Sequence, residues 1–210
     1  PVEGYTETAS IMAYGYNPFL TSWSPYHGAA YAVVEACAKA VAAGAEFGGM
    51  RFSYQEYFER MHTARSWGKP LAALLGALRM QVELGLPSIG GKDSMSGTFL
   101  HINVPPMLMA FGITTVDASK VISTDLKGAG HRIYLVRHTP LENRMPDTAQ
   151  LKDNFGFVSE NIERGNILAA WSVGFGGVAE GLAKMAFGNG VGAEITLDEP
   201  KLYEYAYGSI

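Results

Sequence analysis

The chain has 210 residues, of which 48% are apolar and 17% charged, and its formal net charge is -4. This composition is sufficient to fill the core of one large or two small domains, which excludes wholesale disorder. The 16 lysines and arginines are scattered, so no basic stripe for a duplex nucleic acid is present. The longest charge-poor run, 100–115, is interrupted by two prolines and is too short to span a bilayer as a helix.

The ends of the chain and its cysteine content lead to two further expectations. Cys37 is the single cysteine, which excludes an internal disulfide framework, and the sequence opens without a basic-then-apolar leader. Both features predict a cytoplasmic protein. The first residue is Pro1, and residues 205–210 have the pattern of a strand that is just beginning. Because natural domains usually end in polar tails, we expect the sequence to be part of a longer polypeptide.

The first half of the chain alternates between strand and helix patterns. Residues 1–25 are rich in turn formers and carry no helical period, which predicts a loop or an extended segment. From Gly28 to Gly44, apolar residues recur every three or four positions, which predicts a helix with Cys37 on its core face. Residues 50–57 alternate in polarity, as strands do.

A second helix and a second strand follow. Pro70 suits a first helical turn, and Gly85 is a helix stop. Between them one apolar face is predicted, formed by Leu71, Leu74, Leu75, Leu78 and Val82. Residues 89–97 are predicted to form a glycine-rich turn. Residues 107–115 are apolar on both alternating sets, which predicts a strand buried on both faces.

The polar segment 120–130 contains two glycines and predicts a boundary between two groups of elements. Beyond it we predict helices at 150–164 and around 178–185, the latter ending at the glycines of 188–190. Short strands are predicted at 132–136, 166–173 and 194–197. Strands and helices are mixed in both groups, so the predicted fold class is α+β or α/β, in two parts.

The segment from Ser88 to Gly97 carries the sharpest chemical signal. Its adjacent glycines allow close approach of the backbone to a ligand, and successive N–H groups in a turn can form an anion-binding nest. Lys92 adds a positive charge, Asp93 a magnesium ligand, and Ser94 and Ser96 add hydroxyl groups. The spacing differs from that of a Walker A loop, because the two glycines are adjacent and Asp93 separates the lysine from the serine. An ordinary polar turn remains the alternative.

Other polar residues give weaker signals. Glu35 and Lys39 lie four residues apart on the first helix, which favours a surface ion pair over a metal carboxylate. The five histidines lack zinc-site spacing, and His27, at a helix start, is the best placed of them. Cys37 is expected to be a core residue and is a poor candidate for a nucleophile.

Three motifs carry a family likeness. The run Ile89–Gly97, with Leu-Gly-Leu-Pro before it and Val-Pro-Pro after it, resembles the glycine-lysine-aspartate-serine loop of phosphoribosylformylglycinamidine synthases. Residues 25–45 are similar to the proline-tyrosine-x-glycine-alanine helix of these enzymes. Residues 171–187 are similar to their glycine-glycine helix. The likeness runs in order along nearly the whole chain.

The resemblance implies a fold and an activity. The family belongs to the aminoimidazole ribonucleotide synthetase superfamily, in which each unit has an A and a B subdomain. Residues 1–128 are then expected to form a truncated second A subdomain, and residues 129–210 the start of the second B subdomain. The implied reaction uses ATP and Mg²⁺ to convert formylglycinamide ribonucleotide to the amidine, with ammonia from a glutaminase domain. The first synthetase unit and that glutaminase would be partners, and the chain alone is expected to be inactive.

Site residues follow from the same resemblance, position by position. Gly90, Gly91, Ser94 and Ser96 are expected to bind substrate or nucleotide, and Lys92, Asp93 and Ser94 to act in catalysis. Asp93 is expected to bind metal, and Glu35 matches a magnesium ligand of an auxiliary nucleotide site. At three positions the chain departs from that site's pattern: Lys39, Ser172 and Gly174. We therefore expect the auxiliary site to be degenerate, with Glu35 paired to Lys39.

Two alternatives remain open at this point. One is another member of the same superfamily, such as aminoimidazole ribonucleotide synthetase or selenophosphate synthetase. The second is a non-catalytic scaffold half that completes a dimer-like barrel. A scaffold would tolerate Ser94→Ala and Lys92→Ala, whereas a catalytic half would not.

Overall fold

A computed structural model describes residues 3–196, so Leu197 of the last predicted strand and the pattern at 205–210 lie outside the described residues. The described part contains six strands and five α-helices, besides two short 3₁₀ turns. In chain order these are β1 (Thr8–Gly15), α1 (Pro18–Trp23), α2 (Pro25–Ala42), β2 (Arg51–Tyr57), α3 (Ala64–Leu84), β3 (Ser88–Lys92), β4 (Thr98–Phe99), β5 (Ile102–Asn103), β6 (Met107–Asp117), α4 (Thr148–Glu163) and α5 (Gly177–Phe187).

Four strands form one mixed sheet in the order β1-β6-β2-β3. Strand β6 pairs antiparallel with β1 and β2, whereas β2 and β3 are parallel. Strands β1 and β3 are therefore opposite edges of the sheet. Helices α2 and α3 pack against each other, and the buried residues of the sheet join theirs in one core. Strands β4 and β5 form a separate small hairpin. This mixed α/β arrangement has the predicted fold class.

The first helix pair shows where the loop prediction for residues 1–25 is wrong. The side chain of Asn17 accepts hydrogen bonds from the N–H groups of Phe19 and Leu20, which caps the six-residue helix α1. Ser24 caps α2 in the same way, so α2 begins at Pro25 rather than Gly28. Cys37 lies on the buried face of α2, as predicted. Local capping chemistry, without an apolar period, accounts for α1.

Helix α3 begins earlier than predicted. A capping box between Thr63 and Ser66 starts the helix at Ala64, so Pro70 lies inside it and not in its first turn. The buried side of α3 consists of small or slender residues, among them Gly76. A Cβ atom at Gly76 would lie 2.0 Å from the carbonyl oxygen of Tyr26, which shows how closely α2 and α3 approach. The predicted leucine face is exposed instead.

Strand β6 is buried on one face and not on both, as the sequence predicted. Leu108 and Ala110 are fully buried, whereas Met107, Met109 and other residues of the alternate set are half-buried or exposed. Helices α2 and α3 account for the buried face. Among the described residues, no layer covers the other face to the same extent.

The second half of the described chain contains both predicted helices but none of its predicted strands. Residues 132–136, 166–173 and 194–196 are irregular, and these strand predictions are wrong within the described residues. Short apolar runs become strands only when a neighbouring strand pairs with them, and none does so here. Helix α4 packs on the first half, where Ser159 Oγ donates to the carbonyl of Ala45 at 3.1 Å. The division near residue 128 remains a prediction.

No helix among residues 3–196 combines the length and the apolar character that crossing a membrane requires.

Candidate functional site

The adjacent glycines of the predicted loop lie on an edge strand. Gly90 pairs with Ser53 and Gly91 with Tyr54 in the parallel β2–β3 ladder, and the register shifts just before them. Gly90 has φ +142°, which side chains rarely adopt, and a Cβ atom at Gly91 would lie 2.4 Å from the carbonyl oxygen of Tyr54. The tight turn predicted from residue 89 onward is therefore wrong for 89–92, and the chain leaves the strand only at Asp93.

The loop that follows is fastened to the end of β2 by backbone hydrogen bonds. Ser94 N–H donates to the carbonyl of Glu56 at 3.0 Å, and Phe58 N–H donates to the carbonyl of Ser94 at 2.8 Å. Gly97 N–H then donates to the carbonyl of Phe58 at 2.9 Å. The hydroxyl oxygens of Ser94 and Ser96 lie 3.1 Å apart. These bonds fix the loop next to β2, which positions its side chains.

A cavity of about 470 Å³ lies between α3 and the edge strand β3. One wall is apolar and consists of Leu74, Leu75, Ala77 and Leu78 of α3. The other wall comes mainly from β2, β3 and the loop, and it includes Tyr54, Glu56, Gln81, Ser88, Gly90, Gly91, Lys92 and Asp93. We call this space the α3–β3 cavity. Four of the predicted site residues, Gly90 to Asp93, thus share one cavity.

The two serines of the loop are placed differently. Ser96 borders a second cavity of about 430 Å³, which is lined by Tyr57 and by residues of the β4–β5 hairpin and its flanks. Ser94 lines neither of these two cavities. The structure therefore does not bring all the predicted loop residues to one cavity, although Ser94 joins the two regions through its contact with Ser96.

Glu35 lies against β1, at the sheet edge opposite to β3. One carboxylate oxygen pairs with Lys39 Nζ at 2.7 Å, and the other accepts the N–H of Tyr16 at 2.9 Å. Lys39 also donates to the carbonyl of Tyr14 at 2.9 Å and lies 4.3 Å from the centre of its ring. The predicted ion pair is thus present. Among residues 3–196 no group of three or more His, Cys, Asp or Glu side chains is placed to hold a metal.

Sequence reasoning missed Glu56, which lines the α3–β3 cavity. Its residue is 7% exposed, and within the described chain its carboxyl has no hydrogen bond or ion pair. Burial, and secondarily the nearby charge of Asp93, raises the pKa of this carboxyl to about 7. The strand pattern held a signal, since Glu56 shares its alternation with the buried Phe52 and Tyr54.

Tyr54 lies beside Glu56 in the same wall. Only 6% of this residue is exposed, and its hydroxyl has no hydrogen-bond partner in the described structure. Burial raises the pKa of Tyr54, and the neighbouring Cys37 thiol adds to the shift. Buried polar groups are normally hydrogen-bonded, so two neighbouring groups without partners in one cavity wall suggest a ligand site.

The remaining candidates have structural roles. With Nε2 protonated, His27 donates to the carbonyl of Asn143 at 3.0 Å and accepts from the hydroxyl of Ser24 at 2.8 Å. It therefore ties the start of α2 to the second half of the chain. Burial raises the pKa of the Cys37 thiol to about 12, so the thiol stays protonated at neutral pH.

Comparisons with known proteins agree on one superfamily. The family described as "AIR synthase related protein, C-terminal domain" matches residues 120–207. The phosphoribosylformylglycinamidine synthase subunit PurL of Picrophilus torridus is 26% identical over 90% of this chain and 27% of its own length. The same subunit of Methanocaldococcus jannaschii is 29% identical over 84% of this chain and 27% of its own length. The chain thus spans about 27% of these curated relatives.

Solved structures show the same likeness at the level of the fold. Thermotoga maritima PurL complexed with formylglycinamide ribonucleotide (FGAR) superposes with a TM-score of 0.65 at 16% identity, covering 87% of this chain and 32% of that chain. The complex of that protein with ATP gives a TM-score of 0.64 at 17% identity, covering 85% of this chain and 29% of that chain.

Proposed function

We propose that this chain, a PurL-type member of the AIR synthase superfamily, contributes the β3 loop to the active site of an ATP-dependent ligase. The reaction is the conversion of formylglycinamide ribonucleotide to its amidine in purine biosynthesis. The formamide oxygen accepts the γ-phosphoryl group of ATP, ammonia adds to the activated carbon, and phosphate leaves with that oxygen. ATP, Mg²⁺, ammonia from a glutaminase domain and a first synthetase unit belong to this proposal, as does action in the cytoplasm.

The observation that carries the proposal is the shared position of Gly90, Gly91, Lys92 and Asp93 in one cavity wall. Phosphoryl transfer needs charge neutralisation and positioning rather than a covalent nucleophile. Lys92 supplies a positive charge to phosphoryl oxygens, and Asp93 is an exposed carboxylate that suits Mg²⁺. Cys37 is buried and protonated, so it offers no nucleophile for a glutaminase step.

The relatives support the ligands of this proposal. Thermotoga maritima PurL has been solved with ATP, with ADP and with FGAR. A PurLQS structure from the same organism supports further subunits as partners. Since the chain spans about 27% of the curated relatives, we propose that the rest of the nucleotide site and the catalytic base come from the remaining synthetase unit, and that this chain alone is inactive.

The proposal is tested by ADP release from the complete enzyme that carries the chain, driven by formylglycinamide ribonucleotide and ammonium so that the glutaminase is bypassed. We expect Lys92→Ala to lower kcat/KM at least about 100-fold, because removal of one donor to a transition-state oxyanion has effects of this size. Lys152→Ala is the matched control, since Lys152 is an exposed lysine on α4 outside the α3–β3 cavity.

The second candidate function is that of a scaffold half, and the absence of Ser94 from both cavity walls favours it to that extent. A scaffold predicts the same turnover for Lys92→Ala and Lys152→Ala in folded proteins. Such equality would refute catalytic participation of the β3 loop.

A further inference from the structure

The two walls of the α3–β3 cavity differ in chemistry, and the difference matches one class of ligand. We propose that this cavity binds the nucleoside half of a purine nucleotide, with the base against the leucines of α3 and the ribose hydroxyls hydrogen-bonded to Glu56. The inference rests on the proposed function and deepens it, because it assigns the nucleoside to residues outside the predicted loop.

The apolar wall is built from leucines that the fold itself leaves uncovered. Leu74, Leu75 and Leu78 are 47%, 49% and 52% exposed, and all three line the cavity. Covering each of them with a flat apolar surface removes leucine surface from water, at about 25 cal/mol per Å². A purine base is such a surface. The cavity of about 470 Å³ is within the size range of small-ligand sites.

The polar wall lacks hydrogen-bond donors for its buried carboxyl. Glu56 is 93% removed from solvent and faces the exposed carboxylate of Asp93, with no donor from the described residues. A buried carboxyl without donors is unfavourable, so a ligand that brings hydroxyl donors gains affinity. An acidic side chain that accepts from ribose hydroxyls is a known solution in dinucleotide sites.

Lys92 in the same wall decides between a nucleotide and a simple amine. A cationic amine would find both carboxylates but would also face the Lys92 ammonium group. A nucleotide offers hydroxyl donors to Glu56 and an anionic phosphate to Lys92, so it satisfies both groups. The raised pKa of Glu56, about 7, is compatible with hydroxyl donors, because a neutral carboxyl also accepts hydrogen bonds.

The order of groups along the cavity agrees with the order base, ribose and phosphate. At one end Gln81 Oε1 accepts the N–H of Ser88 at 2.9 Å, which leaves the amide nitrogen of Gln81 to donate to a base. At the other end Lys92 pairs with Gln55 in the strand ladder, next to Glu56. Leu78 is one helical turn from Gln81. The base therefore belongs at the Gln81 end, and the phosphates belong at Lys92.

The test uses calorimetric titration of the complete protein with adenosine and with 2′,3′-dideoxyadenosine, both of which lack phosphates. We expect Leu78→Ser to raise the Kd of adenosine at least about tenfold. Val82→Ser is the matched control, because Val82 lies on the same exposed helix face but outside the cavity lining, and we expect a change below about twofold. Both side chains are exposed, so both variants should fold, which circular dichroism checks.

Glu56→Gln tests the ribose contact. In the unchanged protein, loss of the two hydroxyls should weaken binding about tenfold or more, since hydrogen bonds to a charged group contribute roughly 1.5–3 kcal/mol. In Glu56→Gln the two nucleosides should bind within about threefold of each other. Equal binding of both nucleosides to the unchanged protein would overturn the ribose assignment.

Two further outcomes would overturn the nucleoside site as a whole. One is an adenosine Kd that Leu78→Ser leaves unchanged. The other is a change in self-association of Leu78→Ser and Val82→Ser alike, which would identify the leucine face as a protein contact. Either result leaves the proposed function intact if Lys92→Ala still abolishes turnover. Normal turnover of Lys92→Ala together with intact adenosine binding would instead refute the proposed function and keep the pocket.

Discussion

Glu56 and Asp93 line the same cavity from neighbouring strand ends, yet only Asp93 is exposed to solvent. The backbone joins them further, because the residue after Asp93 donates its N–H to the carbonyl of Glu56 at 3.0 Å. The loop that carries the charged residues is thus held directly by the strand that carries the buried carboxyl. This relationship connects the stability of the fold to the geometry of the candidate site.

The first prediction concerns pH and stability. The pKa of Glu56 is raised to about 7 in the folded protein, above about 4.3 for an unfolded glutamate. Between these values the folded state binds more protons, so the free energy of unfolding falls as pH rises through this window. Glu56→Gln removes the titration. Urea unfolding at pH 5 and pH 8 should show that the variant loses less stability than the parent, by at most about 3 kcal/mol. An identical pH dependence in both proteins would contradict the buried, unpartnered carboxyl.

The second prediction concerns the close contact of β3 with β2. A Cβ atom at Gly91 would lie 2.4 Å from the carbonyl oxygen of Tyr54. We expect Gly91→Ala to lower the free energy of unfolding by about 2 kcal/mol, because inserting a methyl group into packed structure has costs of this order. Gly68→Ala is the control, since nothing lies within 4 Å of a Cβ atom at that helical position. It should stabilise the protein by up to about 1 kcal/mol. Equal destabilisation by both variants would show that the contact has no effect.

The third prediction concerns the degenerate auxiliary site. Both oxygens of Glu35 have partners, namely Lys39 Nζ at 2.7 Å and the N–H of Tyr16 at 2.9 Å. We expect Glu35→Gln to change the free energy of unfolding by less than about 1 kcal/mol, as for a partly exposed ion pair. The Mg²⁺ concentration that gives half-maximal turnover should stay unchanged. A marked rise in that concentration would show that Glu35 binds metal.

The fourth prediction concerns thiol reactivity. Cys37 is buried in α2, and burial raises its pKa to about 12. The folded protein should therefore resist a thiol-specific disulfide reagent at pH 8, and the unfolded protein should react completely. Rapid reaction of one thiol per chain under native conditions would contradict this burial.

The sequence predicts those elements whose local signals agree with their packing. Helix α2, strand β2 and helix α4 carry periodic patterns and buried faces, so the pattern identifies them within a few residues. Helix α1 has no such period and depends on the Asn17 cap, which the pattern does not weigh. The strands predicted in residues 132–136 and 166–173 require pairing partners, and no local pattern reveals these.

The candidate site shows the same division. Lys92 and Asp93 stand out in the sequence because their neighbours are glycines and serines. Glu56 does not, because a glutamate in an alternating strand reads as a surface residue until the position of α3 is known. The leucines of α3 were found as one face, but the pattern does not tell a core face from an exposed one. Ser94 and Ser96 have contacts on separate sides of the loop, which their spacing does not show.

The most direct test of the central claim is ADP release by the complete enzyme carrying Ser94→Ala, with formylglycinamide ribonucleotide and ammonium as substrates. The account predicts that a protein with unchanged folding loses most of its turnover, because Ser94 lies in the loop that β2 holds next to Lys92 and Asp93. Turnover equal to that of the parent enzyme would contradict it. The β3 loop would then be part of a scaffold, and the catalytic residues would lie in the other synthetase unit.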